Sequence, residues 1–247
     1  MLQSATTREL LRIDAADPVI RLERTALWEA VLAGEWPAER LIDVALAYYP
    51  TLGGTARYLF SSKVGTLKRD DGKAVFRELY EALTVPEADS DAGWRQLALA
   101  LGATAAALDD ALASPSPEAA DYVVLARGFG HRSAHEGVGA AWGVERQLPV
   151  LWGRVADALA GHYEIPESAL RFLRYQSTIA GEVDRRIMGL VERYLDDPWK
   201  TYEARRAARE CVWAWKSIGE PLMSAHAAGA STPQPRRRRT HGDRNDG

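Results

Sequence analysis

Apolar residues recur along this chain at the three- and four-residue spacing of helices and almost nowhere with the alternation of strands. Alternating runs of β-branched residues are absent, while Ala, Leu, Arg and Glu, all good helix formers, dominate. This predicts an all-α chain with helices at roughly 18–33, 37–62, 68–84, 91–112, 117–139, 141–162, 166–195 and 199–226. Turn chemistry marks the breaks. Gly34-Glu35-Trp36-Pro37 opens the second helix and Val85-Pro86 closes the third. Ser114-Pro115-Ser116-Pro117 separates the fourth from the fifth, with Pro117 suited to a first helical turn. Ile165-Pro166-Glu167-Ser168 and Asp196-Asp197-Pro198 do the same further on.

No linker long enough to divide two domains precedes residue 228, so residues 1–228 are expected to form one bundle of about seven to eight helices. From Ala227 the composition shifts to small and polar residues, then to four arginines at 236–239. Residues 229–247 read as a disordered, solvated tail; contact of the arginines with nucleic acid or an acidic partner is the alternative. A formal net charge of −3 gives no electrostatic argument for nucleic-acid binding by the chain as a whole. Cys211 is the only cysteine, which excludes an intrachain disulfide and a Cys-based zinc site. The N-terminus lacks a signal-peptide apolar core and no stretch is apolar for long enough to span a bilayer. A cytoplasmic setting with no membrane partner is therefore expected.

Residues 172–184, Phe-Leu-Arg-Tyr-Gln-Ser-Thr-Ile-Ala-Gly-Glu-Val-Asp, are the stretch most informative about chemistry. On one unbroken helix Gln176, Ala180 and Val183, at relative positions 0, +4 and +7, share a face where three side chains can converge on a cation. Gln is a poor ligand for a redox metal, and Ala and Val cannot bind one. Phe172, Tyr175, Ile179, Glu182 and Arg186 form the neighbouring stripe, which groups Glu182 with Tyr175. Gln176 either orients a ligand or is a satisfied core amide.

A second constellation comprises His131, His135, Val138, Trp142, Glu145 and Pro149, one continuous face if the helix is unbroken. His131 and His135 have the spacing of a paired-imidazole metal site, or are an ordinary surface pair. Glu145 would lie about 15 Å from His135 at 1.5 Å per residue, too far to share an ion. Set among Val144, Leu148 and Leu151, Glu145 either pairs with an arginine or points into a cavity, where a raised pKa would suit it to proton transfer. Tyr48, Tyr49, Arg57 and Tyr58 give a polar-aromatic surface on the second helix, and the eight tryptophans either line a pocket or fill the core. No Ser-His-Asp order, phosphate loop or dinucleotide glycine fingerprint is present.

Five stretches carry a resemblance: Ala47-Tyr48-Tyr49-Pro50, Leu67-Lys-Arg-Asp-Asp-Gly, Phe76-Arg-Glu-Leu-Tyr80, Val144-Glu145-Arg-Gln-Leu-Pro149 and Phe172 to Ala180. Through them the chain resembles the haem-oxygenase-like all-α fold over roughly residues 20–225. The resemblance is to its di-iron oxidase branch, and more distantly to thiaminase II and the pyrroloquinoline-quinone synthase. It implies an early acid at Asp70 or Asp71 and a following His whose place is taken by Phe76. It implies a middle Glu retained as Glu145, and a His/Asp/His helix whose places are taken by Gln176, Ala180 and Val183. A di-iron centre needs most of its ligands. The standard site is therefore not expected to form, and no cofactor is expected.

The resulting expectation is a small-molecule biosynthetic enzyme on a haem-oxygenase-like scaffold, with natural-product tailoring as the setting the resemblance suggests. Glu145, Tyr175, Gln176 and Glu182 would supply acid–base and orienting groups in a helical cavity, and Tyr49, Arg57, Phe76, Trp142 and Val183 would contact the substrate. One alternative is a non-catalytic pseudoenzyme or binding subunit that partners an active relative, since Phe, Ala and Val at ligand positions suit a packed core. Another is a metal-dependent oxidase whose site has moved to His131 and His135. The resemblance also implies a homodimer.

Overall fold

The computed structural model describes Asp14, residues 17–54 and residues 89–230. Turns at 18–23 lead into α1 (Ala26–Ala33), and a 3-10 turn (Ala38–Arg40) leads into α2 (Leu41–Leu52). There follow α3 (Ser90–Ala100), α4 (Ala105–Ala113), α5 (Pro117–Arg132), α6 (Ala134–Gly143) and α7 (Leu148–Tyr163). The chain continues with α8 (Glu167–Thr178), α9 (Ala180–Tyr194), α10 (Pro198–Ser217) and α11 (Glu220–Ala230). No strand occurs among the described residues, so the all-α reading holds. None of these helices is long and apolar enough to cross a membrane.

The helices are shorter than expected, and some of the extra breaks have a visible local cause. The 91–112 helix divides where Gly102 takes φ 98° and the Thr104 hydroxyl caps the Ala107 amide. The 117–139 helix divides at Ser133, which is fully extended. Its hydroxyl accepts from the Glu136 amide at 3.2 Å and lies 2.9 Å from Glu136 Oε2, a Ser-x-x-Glu start signal. The 166–195 helix divides at Ile179, just after the Thr178 hydroxyl turns back to the Tyr175 carbonyl at 2.7 Å. The 141–162 helix begins only at Leu148, after the turn at 144–147. The 199–226 helix is interrupted at Ile218-Gly219. The expected helix at 68–84 lies outside the described residues.

Helix α6 is the buried centre, with every residue from Glu136 to Gly143 inaccessible between α5, α9 and α10. Its small residues allow this. A Cβ built on Gly139 would stand 2.2 Å from the Ala204 carbonyl oxygen, so α6 and α10 touch backbone to backbone. On one side Val138, Trp142, Ile187, Val191, Leu195, Ala204 and Ala208 form a small core. On the other lies the main core, where Trp28, Tyr48, Trp94, Trp152 and Trp215 form an aromatic column with neighbouring ring centroids 4.9–6.4 Å apart. Trp28 Nε1 donates to the Tyr48 hydroxyl at 3.2 Å, and Trp94 Nε1 donates to the Ala45 carbonyl at 2.8 Å. Two of the column's indole N–H groups are thus satisfied, one within it and one against backbone.

Candidate functional site

The break at Ile179 undoes the single-helix register on which the chemical expectations rested. Gln176 lies in the last turn of α8, while Ala180 and Val183 lie in the first turn of α9, so the three positions do not form one continuous helical stripe. Val183 packs against the small core, and Trp142 is buried within it. Both have apolar packing neighbours there. Glu182 is a correction too. Arg186 Nε donates to it at 2.5 Å and Arg185 also pairs with it, and these contacts, Arg186 first, hold its carboxyl below the usual range. A surface carboxylate so engaged is a poor proton donor. Tyr175 and Gln176 sit half-buried near the end of α8.

His131 and His135 fall on different helices because extended Ser133 separates them, so the one-turn spacing of a paired-imidazole site is absent. Among the described residues no three His, Cys, Asp or Glu side chains gather in a way that could hold a metal ion. Ala180 and Val183 offer no donor atom at all. Arg57, Phe76, Asp70 and Asp71 lie outside the described residues.

Tyr49 is buried, but in a polar knot rather than facing a substrate cavity. Its hydroxyl donates to Asp91 Oδ1 at 2.7 Å, and the same oxygen accepts from the Gly54 amide at 3.1 Å. Arg95 approaches the Tyr49 hydroxyl at 3.4 Å and pairs with Asp109 at 2.9 Å. Burial, followed by the bond to Asp91, pushes the phenol pKa upward. Tyr49 is thereby set as a neutral strut between α2 and α3.

Glu145 occupies the 144–147 turn, half-buried, where the chain passes from α6 to α7. Its neighbours build a polar concavity. Arg146 lies over the Trp142 ring at 4.8 Å and donates to Asp184 of α9 at 3.3 Å. Gln147 clamps the entering chain, accepting from the Leu22 amide at 3.2 Å and donating to the Ile20 carbonyl at 3.0 Å. Between this turn, residues 21–23 and the start of α9 is a groove of about 430 Å³, lined by Arg21, Arg146 and Arg154 with Glu23 and Asp184. Arg21 pairs with Glu23, and Arg154 reaches the same carboxylate at 3.6 Å. Ala180 and Gly181 complete the wall. Sequence reasoning missed these arginines, although Arg146, Val150 and Arg154 stand at the four-residue steps that put side chains on one side of a helix.

Set beside known proteins, the chain matches no family profile and no curated protein. It does match solved structures, among them a TenA homolog from Pseudomonas syringae pv. tomato str. DC3000. The TM-score is 0.68 at 13% identity, over 89% of this chain and 93% of that one. At that identity the likeness speaks for architecture alone. The chain therefore shares its all-α architecture with that TenA homolog.

Proposed function

We propose that this chain is a small-molecule biosynthetic enzyme, of the kind that tailors natural products, which works without a di-iron centre and holds an anionic substrate in the groove beside Glu145. The observation that carries this reading is the convergence of Arg21, Arg146 and Arg154 on one concavity at the break between α8 and α9. Guanidinium groups are suited to carboxylate and phosphate, and a groove of this size accommodates a metabolite-sized ligand. Glu145, next to Arg146 in sequence, is the acid–base group of this reading.

The test is a thermal-shift screen of anionic metabolites against the wild-type chain and the Arg146→Gln variant. Stabilisation by at least one anion in the wild type, and a loss of affinity of roughly tenfold in the variant, is the expected result for one charge-assisted contact. Unchanged affinity in the variant would place the site elsewhere. For a turned-over substrate, Glu145→Gln should abolish turnover while leaving the melting temperature nearly unchanged.

Metal independence has its own check. After incubation with Fe(II), elemental analysis should find well under one iron per chain; two per chain would overturn the reading. A second reading is favoured by the aromatic column that fills the main core: a non-catalytic subunit that binds its ligand and partners an active relative. Anion binding without any product would select it. The reading takes the chain as a homodimer, which light scattering checks directly.

A further inference from the structure

A second concavity of about 550 Å³ lies on the other side of the Val19–Glu23 segment, between the start of α1, the end of α10 and α11. Its floor is apolar, made by Ile20, Leu27, Val212 and Met223, and Trp213 stands at its edge. That indole is 71% exposed, with Val19 beside it at 72%. Large side chains this exposed around a concavity mark a binding surface more often than a structural one.

The charges around the groove are unequal. Arg24 is engaged by Glu29 at 3.3 Å, and Arg209 by Asp14 at 3.0 Å. Lys216 is different, because its ammonium donates only to the Val19 carbonyl, at 3.2 Å, and has no carboxylate in ion-pair contact among the described residues. Its surroundings withhold water from it, and this desolvation, the largest influence on it, lowers its pKa against the pull of more distant Glu23, Glu29 and Asp17. An ammonium partly withdrawn from water, and in direct contact only with a carbonyl among the described residues, can take a charge-assisted hydrogen bond to an anion brought to it. Glu220, also on the lining, disfavours a second negative charge.

We propose that this groove binds a small apolar monoanion, an aryl carboxylate, whose ring lies on Ile20, Leu27 and Val212 under the Trp213 indole and whose carboxylate meets the Lys216 ammonium. Among the described residues Lys216 is the lining cation with no ion-pair contact, and over an apolar floor it suits a single charge on a hydrophobic body; an exposed indole favours a planar one. The site is independent of the arginine-lined groove, which has different walls.

The test is isothermal titration of the full chain with 1-naphthoate and with its neutral analogue 1-naphthalenemethanol. The wild type should bind the carboxylate roughly tenfold more tightly than the alcohol, the difference one charge-assisted hydrogen bond supplies. Lys216→Met keeps the apolar stem, and should erase that preference while leaving the affinity for the alcohol unchanged. Trp213→Ala should weaken both ligands without shifting the melting temperature, because this side chain is largely in solvent. Arg146→Gln should change neither. Equal affinity for acid and alcohol in the wild type, naphthoate binding untouched by Lys216→Met, or no saturable binding would each overturn the assignment.

Discussion

Gly139→Ala is expected to destabilise the protein by about 3 kcal/mol or more, the upper end of what overpacking a core costs. The added methyl would stand 2.2 Å from the Ala204 carbonyl oxygen, 2.6 Å from its Cα and 2.7 Å from its carbonyl carbon. All three are backbone atoms of α10, so no rotamer change relieves the clash. The helices would have to part, yet α6 is also gripped by α5 and α9, and moving off one neighbour compresses another. Gly143 makes the internal comparison. Its methyl would meet Ala208 O at 2.8 Å, Cα at 2.9 Å and Cβ at 3.0 Å, a milder collision that includes a side-chain atom. Gly143→Ala should therefore cost less and be partly rescued by Ala208→Gly, whereas Ala204→Gly should not rescue Gly139→Ala. Urea midpoints of the four variants at constant slope decide the matter. A Gly139→Ala midpoint equal to that of the wild type would mean that α6 and α10 are not in backbone contact.

The close approach of α6 to α10 was not legible beforehand, because Gly137, Gly139 and Gly143 read only as weak points in a helix. Fold class was legible, since it rests on apolar spacing that tertiary context does not change. Helix ends were legible in part. Ser133-Ala134-His135-Glu136 carries a start signal in plain view, yet the apolar stripe running through it suggested continuity. The break at Ile179 carries no cap signal: no side chain caps α9, and the local sequence is compatible with helix throughout. That one unmarked break dissolves the three-position frame at Gln176, Ala180 and Val183. Site residues placed by helical register inherit every error in helix length, which is why Glu182 emerged among arginines. The Arg21 wall was invisible for another reason. It comes from a turn more than a hundred residues away in sequence, pinned by Gln147, and no local pattern encodes that contact.

Trp152→Ala is expected to lose about 3–5 kcal/mol, the usual cost of removing a large buried aromatic. For a chain of this length that is a drop in melting temperature of roughly 6–20 °C, at about 2–4 °C per kcal/mol. Trp152 is 1% exposed and lies 5.1 Å from Trp94, 5.9 Å from Trp28 and 6.4 Å from Trp215, so its loss removes contacts on several sides and leaves an indole-sized void. Trp213→Ala is the control on the neighbouring helix, and should leave the melting temperature within a degree or so because its ring faces solvent. The comparison also bears on function. A resemblance to cavity enzymes puts chemistry inside the bundle, but this column occupies the main core with rings at contact distance. If Trp152→Ala behaves as a packed-core deletion, the column is packing, which agrees with the ligand sites proposed at the Arg146 and Lys216 grooves. If instead it melts like the wild type, the column borders an interior space, and substrate chemistry at the heart of the bundle becomes the better account.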